Sequence, residues 1–318
     1  MTKIEWADKT WNPVVGCSIV SPGCTHCYAM RQAARIERMQ NTAFDATVAR
    51  KYSPYAGTTQ TTKAGAVWTG KVAMASDDAL TAPLRRRKPT AWFVNSMGDL
   101  FHESVPDAWI DRVFAVMALA PQHTFIVLTK RSKRMQRYCA DLKRSAYVYD
   151  AMSNLPDAEK RGIKEIRAAY DLVMDWPLPN VILGVSCERQ QEADERIPDL
   201  LATPAAKRIV SVEPLLGAID LTGDGREGPL ANGEPTLAQI DGPNGTYFIR
   251  HGASRIDGVI VGGESGAGAR PMHPDWARSI RDQCAAANVP FFFKQCGKRA
   301  AGRLLDGRTH DDLPWSVA

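Results

Sequence analysis

The stretch that decides the fold is Thr124-Phe125-Ile126-Val127-Leu128-Thr129-Lys130-Arg131, an apolar run that ends in polar and charged residues. An apolar run without alternation is typical of a strand buried on both faces, as in a parallel sheet. Other runs share this form, each followed by small, polar or charged residues, at 91–94, 181–185, 208–212, 258–261 and 290–293. Two weaker candidates precede them, at 11–15 and 71–75.

Helical patterns lie between most of these runs. Segments 105–119 and 274–287 each open with a Pro-Asp pair near the start, which suits a first helical turn, and segments 160–174 and 192–201 are weaker candidates. Alternation of strands and helices predicts a parallel sheet, either closed as a β/α barrel or open. Eight candidate strands favour an α/β fold of the barrel type, with residues 1–318 as one domain. A Gly/Pro-rich insertion is predicted at 221–255, with 246–250 as its one strand-like run.

Composition excludes several classes of protein. The chain has 318 residues, of which 44% are hydrophobic and 24% charged, so a disordered chain, a collagen-like repeat and a coiled-coil rod are ruled out. The longest apolar run, 113–120, is too short to cross a bilayer, and an acidic residue near the start argues against a signal peptide. We therefore expect a cytoplasmic protein without a membrane partner. The net charge of +5 permits a polyanionic partner.

Three cysteines in one predicted loop, 16–28, are the most informative feature. Cys17, Cys24 and Cys27 have the spacing C-x6-C-x2-C and directly follow the first candidate strand. Three thiolates can hold three irons of a [4Fe–4S] cluster and leave the fourth iron open to another ligand. Zinc is the alternative, and because a structural zinc site needs four ligands, His26 could be the fourth. The other cysteines are expected to be buried, inert thiols: Cys139, Cys187, Cys284 and Cys296.

A cysteine triad after the first strand of a β/α barrel resembles the radical S-adenosylmethionine (SAM) superfamily, for which spore photoproduct lyase is a useful comparison. The spacing departs from that superfamily's commonest pattern, which has three residues between the first two cysteines, and His26 replaces the usual aromatic residue. The chain is also similar to a phage-associated family with a three-cysteine motif, the phage protein Gp37/Gp68 family. The segments that carry this similarity are 10–17, 94–102, 128–131, 211–217, 261–276, 291–295 and 303–307.

The resemblance to the radical SAM superfamily implies a barrel of the TIM or partial type. It implies a [4Fe–4S] cluster on Cys17, Cys24 and Cys27, with SAM as a second cofactor and an electron donor as a partner. In such enzymes the reduced cluster cleaves SAM to methionine and a 5′-deoxyadenosyl radical, which takes a hydrogen atom from the substrate.

Polar residues that follow parallel strands collect at one end of a barrel, where they could bind a cofactor. Glu213 and Glu264 suit the SAM ammonium group or ribose, and Lys130 and Lys294 suit its carboxylate. A cap or a loop contact is the alternative role for any one of these residues. The predicted cofactor-binding residues are Asn95, Ser96, Lys130, Ser186, Ser211, Glu213, Gly262, Gly263, Glu264 and Lys294. His102 and His273 could each act as a general acid or base, but surface or capping roles are expected for both.

Two basic clusters, 85–88 and 130–137, favour a nucleic-acid base or nucleotide as substrate, although a solvated helix face is the alternative for each. The rival function is a non-catalytic iron–sulfur or zinc protein that binds nucleic acid. A hydrolase is disfavoured because the sequence contains no Gly-x-Ser-x-Gly, His-Glu-x-x-His or P-loop pattern.

Overall fold

The structure is a computed structural model that describes residues 4–41, 53–63, 65–156, 163–222, 237–242, 245–250, 255–266, 268–297 and 302–315. Its centre is a sheet of seven parallel strands that curves into a half-barrel. The strands are β1 Lys9–Trp11, β2 Ala91–Val94, β3 Thr124–Thr129, β4 Val181–Ser186, β5 Lys207–Val212, β6 Gly258–Gly262 and β7 Phe291–Gln295.

Each strand pairs with the next one along the chain, from β1 to β7. A doubly wound sheet would reverse its strand order at one point, and this sheet does not. Among the described residues β1 and β7 stay unpaired with each other, so the sheet is open at this seam. The fold is thus mixed α/β and consistent with a partial barrel.

The predicted strand at 71–75 is wrong as a member of the main sheet. Ala73–Met74 pairs antiparallel with Val14–Val15 in a separate two-stranded ribbon. The predicted strand 11–15 is divided because Pro13 has no backbone N–H to donate, and the chain leaves the sheet after Trp11. The main sheet therefore has seven strands where the sequence suggested eight.

Several helices pack on the outer face of the sheet, and helices follow most strands. They are α1 Tyr28–Asn41, α2 Asp77–Leu80, α3 Asp107–Ala118, α4 Ser132–Cys139, α5 Arg144–Ser153, α6 Ile163–Met174, α7 Gln190–Leu201 and α8 Pro274–Ala286. Short 3-10 turns occur at Pro22–Cys24, Ser53–Tyr55 and Ala82–Arg85. The four predicted helices correspond to α3, α6, α7 and α8, although residues 160–162 lie outside the described part. No described helix has both the length and the apolarity needed to cross a bilayer.

Two apolar layers hold the sheet. Side chains such as Phe125 and Val127 pack with α3 on the outer face. The alternate residues of the same strands, including Ile126 and Ile182, form the inner face, which Trp6 covers. This alternation within fully apolar runs is the expected result for strands that are buried on both faces.

Two further hairpins lie outside the main sheet. Thr59–Thr62 pairs antiparallel with Gly65–Trp68 and packs beside α1. Leu237–Gly242 pairs antiparallel with Gly245–Arg250, and this hairpin lies within the predicted insertion between β5 and β6. It includes the strand expected at 246–250. Residues 223–236, 243–244 and 251–254 of the predicted insertion lie outside the described residues.

Candidate functional site

A cavity of about 670 Å³ lies at the carboxyl ends of the strands. Its volume is within the range of small-molecule and cofactor sites. The structure brings to its wall the three cysteines and every predicted cofactor-binding residue except Gly262: Cys17, Cys24, Cys27, Asn95, Ser96, Lys130, Ser186, Ser211, Glu213, Gly263, Glu264 and Lys294. Parallel strands explain this convergence, because their carboxyl ends meet at one edge of the sheet.

Gly262 lies directly behind this wall. A Cβ atom at this position would come within 2.9 Å of the Glu213 Oε1 atom. The glycine therefore leaves room for the Glu213 carboxylate, which is a different role from the predicted approach of the backbone to a ligand.

The three thiols differ in their surroundings. Arg131 Nη1 lies 3.5 Å from the Cys17 sulfur, and Ser21 Oγ lies 3.7 Å from the Cys24 sulfur. Burial raises the pKa of Cys17 to about 12 and also raises the pKa of Cys27. Burial acts on Cys24 in the same direction, but the nearby Lys130 cation and local hydrogen bonds outweigh it and lower the pKa of this thiol. Cys24 is the thiol most easily ionised.

The three thiols lie near one another, but their side chains are not arranged as a metal-binding site. The charges of Cys24 and Cys27 both act on Cys17, which places the three sulfurs in one electrostatic environment. Among the described residues, however, no three His, Cys, Asp or Glu side chains stand ready to hold a metal ion.

Glu188 anchors the cysteine loop to the end of β4. This carboxylate is fully buried after β4, accepts a hydrogen bond from Ser21 Oγ at 2.9 Å and pairs with Arg196 Nη1 at 3.2 Å. Lys130 Nζ contacts the same carboxylate. A Cβ atom on Gly23 would lie 2.3 Å from Glu188 Oε1, so the loop packs directly on the carboxylate. Glu188 lies two residues past the end of β4, but nothing in the sequence indicates that it pairs with the cysteine loop.

Asp99 and Arg131 form a second anchor. Asp99 accepts hydrogen bonds from Thr129 Oγ1 at 2.7 Å and from Arg131 Nη1 at 3.0 Å. Arg131 in turn donates to Ser18 Oγ at 2.7 Å. The start of the cysteine loop is thereby fixed to the end of β3.

His102 supports the same anchor. The surface role expected for His102 is wrong, because the residue is only 4% exposed and its Nε2 lies 2.9 Å from Ser18 Oγ, but it does cap a local backbone N–H through Nδ1. Burial and the nearby Arg131 cation lower the pKa of His102. The backbone N–H of Ser104 donates to Nδ1 at 3.1 Å, so the single proton of the neutral ring is on Nε2, facing Ser18. His273, in contrast, caps α8 by accepting a hydrogen bond from the backbone N–H of Asp275, as expected.

Glu264 holds the far side of the loop. Its carboxylate accepts hydrogen bonds from Arg270 Nη2 at 2.6 Å and from the Arg270 backbone N–H at 2.9 Å, and it lies 3.0 Å from His26 Nδ1. Arg270 also donates to the Pro22 carbonyl within the loop. Burial alone would raise the pKa of Glu264, but the hydrogen bonds from Arg270 and His26 lower it to about 2.

This depressed pKa predicts how stability depends on pH. The folded pKa of Glu264 lies below its unfolded value of 4.5, so the ionised group stabilises the fold fully above pH 4.5 and loses this effect as pH falls towards 2. A shift of one pKa unit corresponds to about 1.4 kcal/mol. The ionised Glu264 carboxylate therefore contributes on the order of 3 kcal/mol to the free energy of unfolding at neutral pH. Chemical denaturation of the wild type and of Glu264→Gln should show a gap in unfolding free energy that closes with acidification. A gap that is constant from pH 7 to pH 3 would contradict the assignment.

Glu213 has fewer protein partners than Glu264. Lys294 Nζ lies 2.9 Å from its Oε1 atom, and Ser211 Oγ lies 3.4 Å from Oε2. Across the cavity the amide of Asn95 accepts a hydrogen bond from the Val14 backbone through Oδ1, while its Nδ2 is buried without a partner among the described residues. Glu213 and Asn95 therefore both have hydrogen-bonding capacity to spare for a ligand in the cavity.

The remaining sequence features have structural roles. Cys139, Cys187 and Cys284 are buried, and burial raises the pKa of each thiol to about 12, while Cys296 is half-buried. The cluster 130–137 is divided, since Lys130 and Arg131 turn into the cavity and Arg134 pairs with Asp107. In the cluster 85–88, Arg85 and Arg86 bond to nearby protein groups and the other two side chains are exposed.

Comparison with known proteins identifies the family of this protein but assigns no activity to it. Searches of curated proteins and of solved structures gave no match. A family model described as a protein of unknown function (DUF5131) matches residues 1–314. Since this match covers almost the whole chain, the protein belongs to the DUF5131 family.

Proposed function

We propose that this protein is an iron–sulfur enzyme with a partial barrel of the radical SAM type, which cleaves SAM reductively. The observation that carries the proposal is the presence of Cys17, Cys24 and Cys27 on the wall of one cavity, at the carboxyl end of the sheet. The polar residues that end the other strands share this wall, which is the arrangement that a cluster and a second cofactor would need.

The residues present fit a cluster chemically. Thiolates are the ligands that iron–sulfur clusters require, and Cys24 is already favoured as a thiolate by the positive charge of Lys130. Arg131, close to Cys17, offsets the negative charge that three thiolates bring into a buried site. The anchors at Glu188, Asp99 and Glu264 fix the loop that carries the ligands.

Cys17, Cys24 and Cys27 would hold a [4Fe–4S] cluster, which, once reduced by a one-electron donor, would supply the electron for reductive cleavage of SAM. The chain's own residues bind and orient SAM beside it. Glu213 offers a carboxylate for the SAM ammonium group or ribose, and Lys294 offers a cation for its carboxylate. The unpaired Nδ2 of Asn95 can donate a further hydrogen bond, and the inner apolar layer around Trp6 and Leu128 keeps the cavity floor dry.

The direct test is anaerobic purification followed by analysis of metal and product. We expect a brown protein that contains iron and that releases 5′-deoxyadenosine when it is mixed with dithionite and SAM. A colourless protein without iron would disprove the proposal. A brown protein that never cleaves SAM would leave the non-catalytic iron–sulfur function.

Replacement of Glu213 tests the assignment of the SAM site. Glu213→Gln keeps the shape of the side chain and removes its charge, so the affinity for SAM should fall roughly ten- to a hundredfold with iron content unchanged. Calorimetric titration of SAM into the anaerobic protein measures this change. The sequence predicts the same role for Glu264, but because Arg270 and His26 already occupy that carboxylate, Glu264→Gln should lower stability with less effect on SAM binding. Normal SAM affinity in Glu213→Gln would show that the site is assigned wrongly.

One observation favours the zinc alternative. His26 borders the cavity, and its Nδ1 lies 3.0 Å from the Glu264 carboxylate, while its Nε2 has no partner within the described part of the chain. A histidine whose second nitrogen is held by a carboxylate is a common arrangement in zinc sites. Stoichiometric zinc in the purified protein, and its loss in His26→Ala, would establish this function in place of the iron–sulfur one.

A further inference from the structure

Helix α1 presents one face to the cavity. Tyr28, Gln32 and Ile36 are four residues apart, so they lie above one another on the helix, and all three border the cavity. At a rise of about 1.5 Å per residue, this face is about 12 Å long. The cavity thus extends well beyond the cysteines, along α1.

Aromatic side chains line part of this extension. Tyr55 and Trp68 border the cavity beside α1, and Trp68 packs with Met30 and Ala33 of the helix in a separate apolar cluster. Tyr28 adds a third aromatic ring to the lining. Walls of this kind suit a flat ring that stacks on aromatic side chains.

Gln32 gives this apolar extension a polar group. Its side chain is half-buried, and within the part of the chain that the structure describes its amide makes no hydrogen bond. A glutamine amide offers one acceptor and two donor hydrogens in one plane. The edge of a nucleobase presents a matching row of donors and acceptors.

The neighbouring face of α1 is cationic. Arg31 and Arg35 are exposed, one helical turn apart, and form no ion pair among the described residues. A Cβ atom on Gly266 would lie 3.1 Å from Arg31 Nη2, which places this guanidinium against the loop that follows Glu264 at the edge of the cavity. These two arginines lie beside the aromatic extension of the cavity, which is called the slot below. Together they complement a nucleic acid, because the arginines suit its phosphates and the slot suits a base.

We propose that α1 binds a single-stranded nucleic acid, with one base in the extension beside Gln32 and the adjacent phosphates on Arg31 and Arg35. The base would then lie on the cavity side that leads to Cys27. A single-stranded nucleic acid would be the substrate of the proposed enzyme, so its role as a substrate rests on the proposed function. Its binding to α1 does not, because binding needs neither the cluster nor SAM. An acidic peptide would satisfy the arginines but would leave the slot and the Gln32 amide unused.

The test is fluorescence anisotropy with a labelled single-stranded DNA oligonucleotide of mixed sequence, using the full-length protein purified anaerobically, without SAM or reductant. Wild-type protein should bind the probe. Arg31→Ala/Arg35→Ala should weaken binding and reduce the slope of log K against log salt by about 1.4, which is about 0.7 for each phosphate that the variant no longer neutralises. The matched control is Arg87→Ala/Lys88→Ala, which removes two exposed charges from the basic cluster 85–88 and should bind like wild type.

A second variant tests the base slot. Gln32→Leu keeps the size of the side chain and removes its hydrogen bonds, so affinity should fall roughly five- to tenfold with an unchanged salt slope. Single-stranded RNA should compete with the probe, and polyglutamate of equal charge should not.

Three results would overturn the inference. The first is wild-type affinity in both Arg31→Ala/Arg35→Ala and Gln32→Leu. The others are loss of binding only in the control variant and equal competition by polyglutamate. The Cys24→Ala variant separates this inference from the proposed function. If that variant has no iron and still binds the probe, binding is independent of the cluster. If the wild type binds the probe but contains no iron, only the proposed function fails.

Discussion

Cys24→Ala should lose its iron and its brown colour after anaerobic purification while the sheet stays folded. Two remaining thiolates hold a cubane cluster poorly, and the loop keeps its anchors at Glu188 and Glu264 because neither involves the Cys24 sulfur. Iron analysis and visible absorption measure the loss, and circular dichroism checks the fold.

The matched control for this variant is Cys284→Ala. Cys284 is buried in α8, away from the cavity, so iron content should equal that of the wild type even though stability falls. Full iron in Cys24→Ala would show that Cys24 is not a ligand. Equal loss in both variants would point to general destabilisation in place of a specific ligand.

Glu188→Gln should cause the largest loss of stability of any single change at the site. Gln keeps the hydrogen bond with Ser21 but removes the buried carboxylate that both Lys130 and Arg196 contact directly. Breaking a buried ion pair by removing one partner costs about 3–5 kcal/mol. Urea denaturation should show this fall in the free energy of unfolding.

Two further variants make this result specific. Glu192→Gln removes a buried carboxylate from the same region, but its ion-pair partner Arg189 is exposed to solvent, so we expect a smaller loss than in Glu188→Gln. Lys130→Met combined with Glu188→Gln removes one of the cations that lose the Glu188 carboxylate and should recover part of the stability. Equal losses in Glu188→Gln and Glu192→Gln would contradict the role of Glu188 as the anchor.

The strands of the main sheet are predictable from sequence because their apolar runs are continuous and end abruptly. The runs at 124–128 and 181–185 correspond to β3 and β4 almost residue for residue. The error at 71–75 has a local cause: Pro13 takes the chain out of the sheet, and the two short segments then pair with each other. Hydrophobic patterns find such strands but do not report which strand is their partner.

The site is predictable only in part, for a related reason. The polar ends of parallel strands must meet, so Lys130, Glu213 and Glu264 could be placed in one cavity from their positions in the chain. Their partners could not, because Ser21 and Glu188 are 167 residues apart and no periodicity links them. Glu264 illustrates the consequence, since a carboxylate expected to face a ligand is held by Arg270 and His26.

The distance along the chain between His26 and Glu264, 238 residues, bears on how the protein is made. A ribosome that adds about 5–20 residues per second needs roughly 12–48 s to reach Glu264 after His26 has been synthesised. During this interval the cysteine loop has left the ribosome without the carboxylate and the arginine that later hold it. The cysteine loop therefore lacks these two partners during synthesis, and the proposed cluster would meet a fully anchored loop only after the last strands have been translated.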